Sequence, residues 1–201
     1  MNHKPFIIVV SAPSGAGKTT ILKEVRRLVS GVFYSVSATT RPPRPGEVDG
    51  VDYIFVTKKE FERMIESGDL LEWAKVFGGE YYGTPKSPVI KALEAGMDVL
   101  MDLDIQGKES LEAMYDGSII SIFLLPPSFE ELRRRLNGRK TENESELQER
   151  LSRAKVELKW AENYQYWVIS SLIDEAAKGI VSIINAERMR RERVIFNLDI
   201  D

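Results

Sequence analysis

The stretch Phe6–Thr20, FIIVVSAPSGAGKTT, decides the fold. Five apolar residues read as a buried strand and run into a short Gly-rich loop that ends in Lys-Thr-Thr. A strand, such a loop and a helix start in this order aim backbone N–H groups at one point, where the helix dipole adds partial positive charge. Gly15 and Gly17 let the loop curl around oxygen atoms, Lys18 offers a cation to the β- and γ-phosphates, and Thr19 offers a hydroxyl to Mg²⁺. The pattern is G-x-x-x-x-G-K-[ST] with Ala12 at the first Gly, which is tolerable where that residue keeps a negative φ. Ala12, Pro13, Ser14, Gly15, Ala16, Gly17, Lys18, Thr19 and Thr20 therefore form a candidate nucleoside-triphosphate loop.

Outward from this loop, Lys18 to about Val29 reads as a helix with Ile21, Leu22, Val25, Leu28 and Val29 on one face, ended by Gly31. The apolar runs MDVLMDLD and SIISIFLL have buried-strand length, as does the shorter YWVIS. Helices are expected between and after them: Lys108–Tyr115, one boxed by Ser128 and Glu131, a longer one carrying Leu147, Leu151, Ala154, Leu158 and Ala161, and one from about Asp174. Strands buried on both faces and alternating with helices imply a parallel α/β sheet. Asp102 and Asp104 close the first run, where alternation puts both on one side and offers an acid beside a magnesium ion.

Residues 35–87 break that pattern and read as a small mixed insertion. VFYSVSA and VDYIFV are strand-like, TTRPPRPGEVDG is irregular, and Thr57 with Glu60 forms a capping box before a short helix. LLEWAKVF alternates as a strand does, GGEYYGTP reads as a turn, and Ser87-Pro88 reads as the cap and first residue of a helix.

Composition narrows the chemistry. The 201 residues suit one core with an insertion, and 43% hydrophobic with 29% charged residues is the balance of a soluble globular chain. No apolar run approaches the roughly 20 residues of a membrane span, and FIIVV is too short for a signal segment. A net charge of −3 argues against a nucleic-acid surface. With no Cys, thiolate catalysis is excluded, and the only His, His3, lies in a segment expected to fray, which argues against imidazole catalysis. Lys, Arg, carboxylates, hydroxyls and a hard cation remain.

The combination of APSGAGKTT, the loop SVSATTRPPRPGEVDGVDY with Arg41 and Arg44, the residues Glu72, Tyr82 and Thr84, DLDIQG, and LLPPSFEELRRRLNGRKTE closely resembles the guanylate kinase family from about Phe6 to Ile184. The resemblance implies a P-loop kinase three-layer fold with a parallel sheet core (about 1–34, 88–125 and 156–201), a mixed α/β GMP-binding region (about 35–87) and a helical lid (about 126–155). It implies phosphate transfer from ATP, on the loop Ala12–Thr20, to GMP, with Mg²⁺ between Thr19 and Asp102. Ser37, Arg41, Arg44, Tyr53 and Tyr82 would bind the GMP phosphate, and Glu72, Thr84 and Asp102 would read or flank the guanine. Arg135 and Arg139 would meet the ATP phosphates and Arg150 would bridge donor and acceptor, so the catalytic set is Lys18, Arg41, Arg44, Arg135, Arg139 and Arg150. Arg133, Arg134 and the run ERMRRER are read as solvated helix faces.

Residue chemistry supports these roles independently. Two arginines three apart in a stiff loop can grip one phosphate with forked donors. A carboxylate can accept both N1–H and the 2-amino group of guanine, whereas adenine offers a lone pair at N1 and no 2-amino group. The sequence departs from the family in GGEYYGT, one residue longer than the usual G-N-Y-Y-G-T. Tyr82 is chosen over Tyr81 there because it directly precedes Gly83. It departs also at Ser170, where the family often has Asn near the adenine, and in GRKTE for G-R-G-T-E. Two other readings stand beside this one: a P-loop kinase of a ribose phosphate, which should lack the Glu72, Tyr82 and Thr84 set, and a non-catalytic binding module, which should degrade the P-loop and sit beside a further domain. The expected partners are small molecules alone, with no nucleic acid or membrane, in a cytoplasmic monomer or homodimer.

Overall fold

The computed structural model describes residues 3–76, 78–115, 119–137 and 144–196, the side chains of 144–146 excepted. Its centre is a sheet of five parallel strands in the order β2 (Val32–Ser35), β7 (Asp98–Asp102), β1 (Ile7–Ser11), β8 (Ile119–Leu125), β9 (Tyr166–Ile169). Strand β1 lies in the middle and is buried along its whole length, so both faces must be apolar. Its pleat sorts the core. Ile8 and Val10 pack with Ile21, Leu22 and Val25 of α1 (Lys18–Leu28) and with Ala176, Ala177, Ile180 and Ile184 of α7 (Ile173–Arg188). Ile7 and Val9 pack the other way, with Val89 and Ala92 of α3 (Lys86–Glu94) and Leu111 of α4 (Ile105–Tyr115). The result is three layers, with every P-loop residue at the carboxyl end of the central strand. No helix of the described residues is long and apolar enough to cross a membrane.

A second, mixed sheet runs β4 (Ile54–Phe55), β3 (Ala38–Thr39), β6 (Tyr81–Pro85), β5 (Leu70–Lys75). Helix α2 (Lys58–Glu66) opens with the expected reciprocal box between Thr57 and Glu60 and buries Phe61 completely. Three elements differ from the sequence reading. VFYSVSA is not one strand: β2 belongs to the large sheet and β3 to the small one, so the chain changes sheet at Val36-Ser37. GGEYYGTP is not all turn, because Tyr81–Pro85 pairs antiparallel with β5. Helix α3 begins at Lys86 with Pro85 as its cap, which puts Pro88 inside the first turn, where its missing N–H costs nothing.

Helix α5 (Phe129–Asn137) and helix α6 (Glu144–Lys159) pack through Leu132, Leu136, Leu151 and Ala154. Ser128 Oγ accepts the N–H of Glu131 at 3.1 Å, while the Glu131 carboxylate turns to Arg134 and Arg135. Arg134 is solvated, as read.

The first and last described segments are tied together. His3 bridges Val194 antiparallel, and its Nε2 lies 2.9 Å from the fully buried Asp98 carboxylate. That carboxylate also accepts Phe6 N–H at 3.2 Å and Arg188 Nε at 2.7 Å. Arg193 pairs with buried Glu187 and lies over the Phe6 ring. The reading of ERMRRER as a solvated helix is therefore corrected: Arg188, Arg190 and Arg193 pair with two carboxylates that the core has taken out of water, Asp98 and the run's own Glu187. The expectation that the segment of His3 frays is corrected by the same contacts.

Candidate functional site

The P-loop keeps the geometry that its glycines predict. Gly17 caps α1 with φ of 86° and Gly15 has φ of 92°, both in the left-handed region that other residues enter at a cost. Gly15 has a second reason to lack a side chain. A Cβ there would come within 2.8 Å of Leu136, so α5 packs directly on the loop. Ala12 packs against the core at the carboxyl end of the central strand.

Lys18 Nζ lies 2.5 Å from Asp102 Oδ1 and donates to the Leu103 carbonyl at 3.3 Å. The same carbonyl accepts the Ser11 hydroxyl at 2.8 Å. Asp104, read with Asp102 as an acidic pair, follows the strand and caps the first turn of α4 by accepting Gly107 N–H at 2.8 Å. Both acids line one cavity of about 270 Å³ together with Lys18, Glu72 and Tyr82. An adjoining cavity of about 240 Å³ is lined by Thr19, Ser37, Arg44, Tyr53 and Asp102, among others. Ser37, Tyr53 and Asp102 border both, so the two form one cleft.

The small-sheet side of the cleft is built by that sheet's pleat. Cross-strand partners share a face. Glu72 pairs with Thr84 and Ala74 with Tyr82, both facing the cleft, while Trp73 pairs with Gly83 and Lys75 with Tyr81, facing away. Tyr81 stacks on Phe61 at 5.3 Å and lies near Trp73. Tyr82 instead receives Arg41 Nε at 3.1 Å. Of the two tyrosines, Tyr82 is the one that lines the cleft.

Glu72 is 7% exposed and accepts the Thr84 hydroxyl at 2.6 Å. Burial pushes its carboxyl up to about 7, against a lowering by the Thr84 bond, with the nearby Asp104 charge adding to the rise. Arg41 lies 5.2 Å from the centre of the Tyr53 ring and donates to Glu47 at 2.8 Å. Glu47 also accepts Arg44 N–H at 2.7 Å, so one carboxylate organises both arginines of the loop. The sequence reading missed Glu47, because a loop without periodicity gives no sign of which charges face one another. Burial, then Asp102, hold the Tyr53 hydroxyl protonated well above its ordinary range, which keeps it a donor for an anion.

The helices over the loop contribute two of the three predicted lid arginines. Arg135 donates to the Ser170 carbonyl at 2.8 Å and reaches Ala16 O at 3.5 Å. Ser170 thereby joins α5 to the end of β9. Arg150 donates to Ser14 Oγ at 2.8 Å, and Ser14 N–H donates to Glu157 at 3.2 Å. Arg139 lies outside the described residues. Thr20 is exposed on α1. Among the described residues, no three His, Asp or Glu side chains gather to hold a metal by themselves. Thr19 and Asp102 share a cavity, a sparse oxygen pair suited to an ion that arrives carrying phosphates and water.

The family model described as guanylate kinase matches residues 4–187. Among curated relatives, the guanylate kinase of Nitrobacter winogradskyi is 49% identical over 96% of this chain and 88% of its own length. That of Clostridioides difficile is 44% identical over 94% and 92%. The crystal structure of guanylate kinase from Anaplasma phagocytophilum superposes with a TM-score of 0.79 at 34% identity, covering 94% of this chain and 90% of that one. With these matches beside the strand order and the phosphate loop, the chain belongs to the guanylate kinase family.

Proposed function

We propose that this chain transfers the γ-phosphoryl group of ATP to GMP, giving ADP and GDP, by in-line displacement. The observation that carries this reading is the buried Glu72–Thr84 pair, which faces the same cavity as Lys18 and Asp102. A base reader and a phosphate-loop lysine in one cleft put acceptor and donor side by side.

A phosphate monoester dianion is already a nucleophile, so no general base is required. The difficulty is bringing two polyanions together, and positioning with charge neutralisation supplies most of the rate. The P-loop amides hold the donor, and Lys18 exchanges Asp102 and the Leu103 carbonyl for the β- and γ-phosphates. Ser37, Arg41, Arg44, Tyr53 and Tyr82 hold the acceptor phosphate. Glu72 accepts from N1–H and the 2-amino group of guanine, with Thr84 and Asp102 beside it. Arg135, Arg139 and Arg150 close over the transferring group and exclude water. Mg²⁺, held by Thr19 and Asp102 together with the nucleotide, would neutralise developing charge on the phosphates. Every recognition group named here meets phosphate or base, so dGMP is included as an acceptor.

An ADP-release assay over a panel of GMP, dGMP, AMP, UMP, CMP and ribose phosphates tests the proposal. GMP is expected to exceed AMP in kcat/KM by about 10⁴ or more, because a site built around buried hydrogen bonds rejects a base that leaves them unpaired. Equal rates with AMP would remove Glu72 from recognition. No turnover with any acceptor would favour the binding module, and preference for a ribose phosphate would favour the other kinase.

A further inference from the structure

Gly107 sits buried in the first turn of α4, in the segment DIQG. Its backbone is not in the left-handed region, so conformation does not call for glycine there. A helix is ordinarily steadier with Ala at such a position. What the position lacks is space. A Cβ on Gly107 would lie 2.9 Å from Glu72 Oε2 and 3.4 Å from both Glu72 Cδ and Asp104 Oδ1. Glu72 cannot swing away freely, because Thr84 holds Oε1 at 2.6 Å and the side chain is buried.

We propose that Gly107 positions the specificity-determining carboxylate, its missing side chain being the space in which Glu72 Oε2 stands. Glu72 comes from β5 in the small sheet and Gly107 from α4 over the large one, so this contact sets the base reader relative to the core. In a Gly107→Ala chain, the carboxylate tip must retreat by about 0.5 Å to bring 2.9 Å to the 3.4 Å of ordinary contact. The fold absorbs so small a shift of a side-chain end. A carboxylate that must meet two guanine donors in one plane does not, and sub-ångström to ångström misplacement costs about tenfold to a hundredfold.

The inference rests on the reading that Glu72 recognises guanine. Its test is a cycle of Gly107→Ala, Glu72→Ala and the double variant, assayed for KM of GMP, KM of ATP and melting temperature. Gly107→Ala is expected to raise the KM for GMP by about tenfold or more, with the KM for ATP within about twofold of the parent. In the Glu72→Ala background, where the clash is gone, the same change should add less than about twofold. A parental KM for GMP in Gly107→Ala beside a damaged Glu72→Ala overturns the inference alone. So does an undiminished Gly107→Ala penalty in the Glu72→Ala background. A parental KM in Glu72→Ala overturns the guanine reading and the inference with it. If Gly107→Ala does not fold, the double variant must fold, and its failure to do so also overturns the proposal.

Discussion

In the proposed reaction, the donor wall of the cleft is a single run of chain, Ala12 to Thr20, shaped by the strand before it and the helix after it. The acceptor wall is gathered from separate places: Ser37 between two sheets, Arg44 in a Pro-rich loop, Tyr53 before β4, Glu72 on β5 and Tyr82 on β6, with Arg41 and Thr84 joined to it through their bonds to Tyr82 and Glu72. The first wall needs only local geometry, two left-handed glycines and a helix start. The second needs a sheet whose register is correct, since a slip of one residue would send Glu72 and Tyr82 outward and bring Trp73 and Tyr81 in. A continuous loop can serve any triphosphate. Discrimination among acceptors requires groups fixed from several directions.

If the two walls act separately, substitutions on them should damage different parameters. The largest effects are expected at their cations. Lys18→Ala should lower kcat by about 10² or more with the KM for GMP little changed. Arg41→Ala should lower kcat/KM for GMP by about 10² or more with the KM for ATP little changed. Steady-state kinetics varying each substrate in turn separates the two. A near-normal Arg41→Ala enzyme would take that residue out of the phosphate site, and identical effects on both substrates would merge the walls into one unit.

A medium effect is expected from pH, and on the acceptor wall alone. The folded Glu72 carboxyl stands at about 7, above its ordinary 4.5. The fold thus favours the protonated form, and this group's contribution to stability is greatest below about 4.5 and lost as pH rises through 7. Guanine binding needs the ionised form, so its sign is opposite. Affinity for GMP should hold above pH 7 and weaken by about tenfold for each unit below it. Glu72→Gln should flatten that profile. Titrating GMP binding between pH 5.5 and 8.5, a range on the order of one to two units around the group, would show it. A flat profile in the parent protein would detach Glu72 from the base.

The smallest effect belongs to the residue at which the loop departs from its pattern. Ala12 packs against the core, so Ala12→Gly should cost about 0.4–1 kcal/mol by loosening the unfolded chain and change turnover less than about threefold. Thermal melting with a turnover assay checks both. A large gain in rate would mean that Ala12 strains the donor wall.

Much of this molecule was legible in its residues. Apolar runs bounded by glycine and capping residues gave β1, β7, β8 and α1 near their observed limits, because strands buried on both faces leave a signal that depends only on neighbours. The box at Thr57 and Glu60 was legible for the same reason. VFYSVSA was not, since alternation is the same whether a strand stays in one sheet or passes between two. Tyr81–Pro85 read as a turn because its strand character comes from pairing with β5, not from its own Tyr-Tyr-Gly-Thr-Pro. ERMRRER looked solvated because one carboxylate it meets, Asp98, is ninety residues from Arg188 in the chain, and because nothing local shows that the run's own Glu187 is buried.

The sequence by itself determined the parallel core, the phosphate loop and the residue types of both walls, because backbone conformation and hydrophobic period are set locally. Only the tertiary structure decided which tyrosine faces the cleft, that Glu72 is buried rather than solvated, and that Glu47 organises the arginines. It alone shows that a helical glycine leaves room for the Glu72 carboxylate. Those outcomes depend on register and on contacts between distant segments, and a carboxylate's chemistry is fixed by what surrounds it.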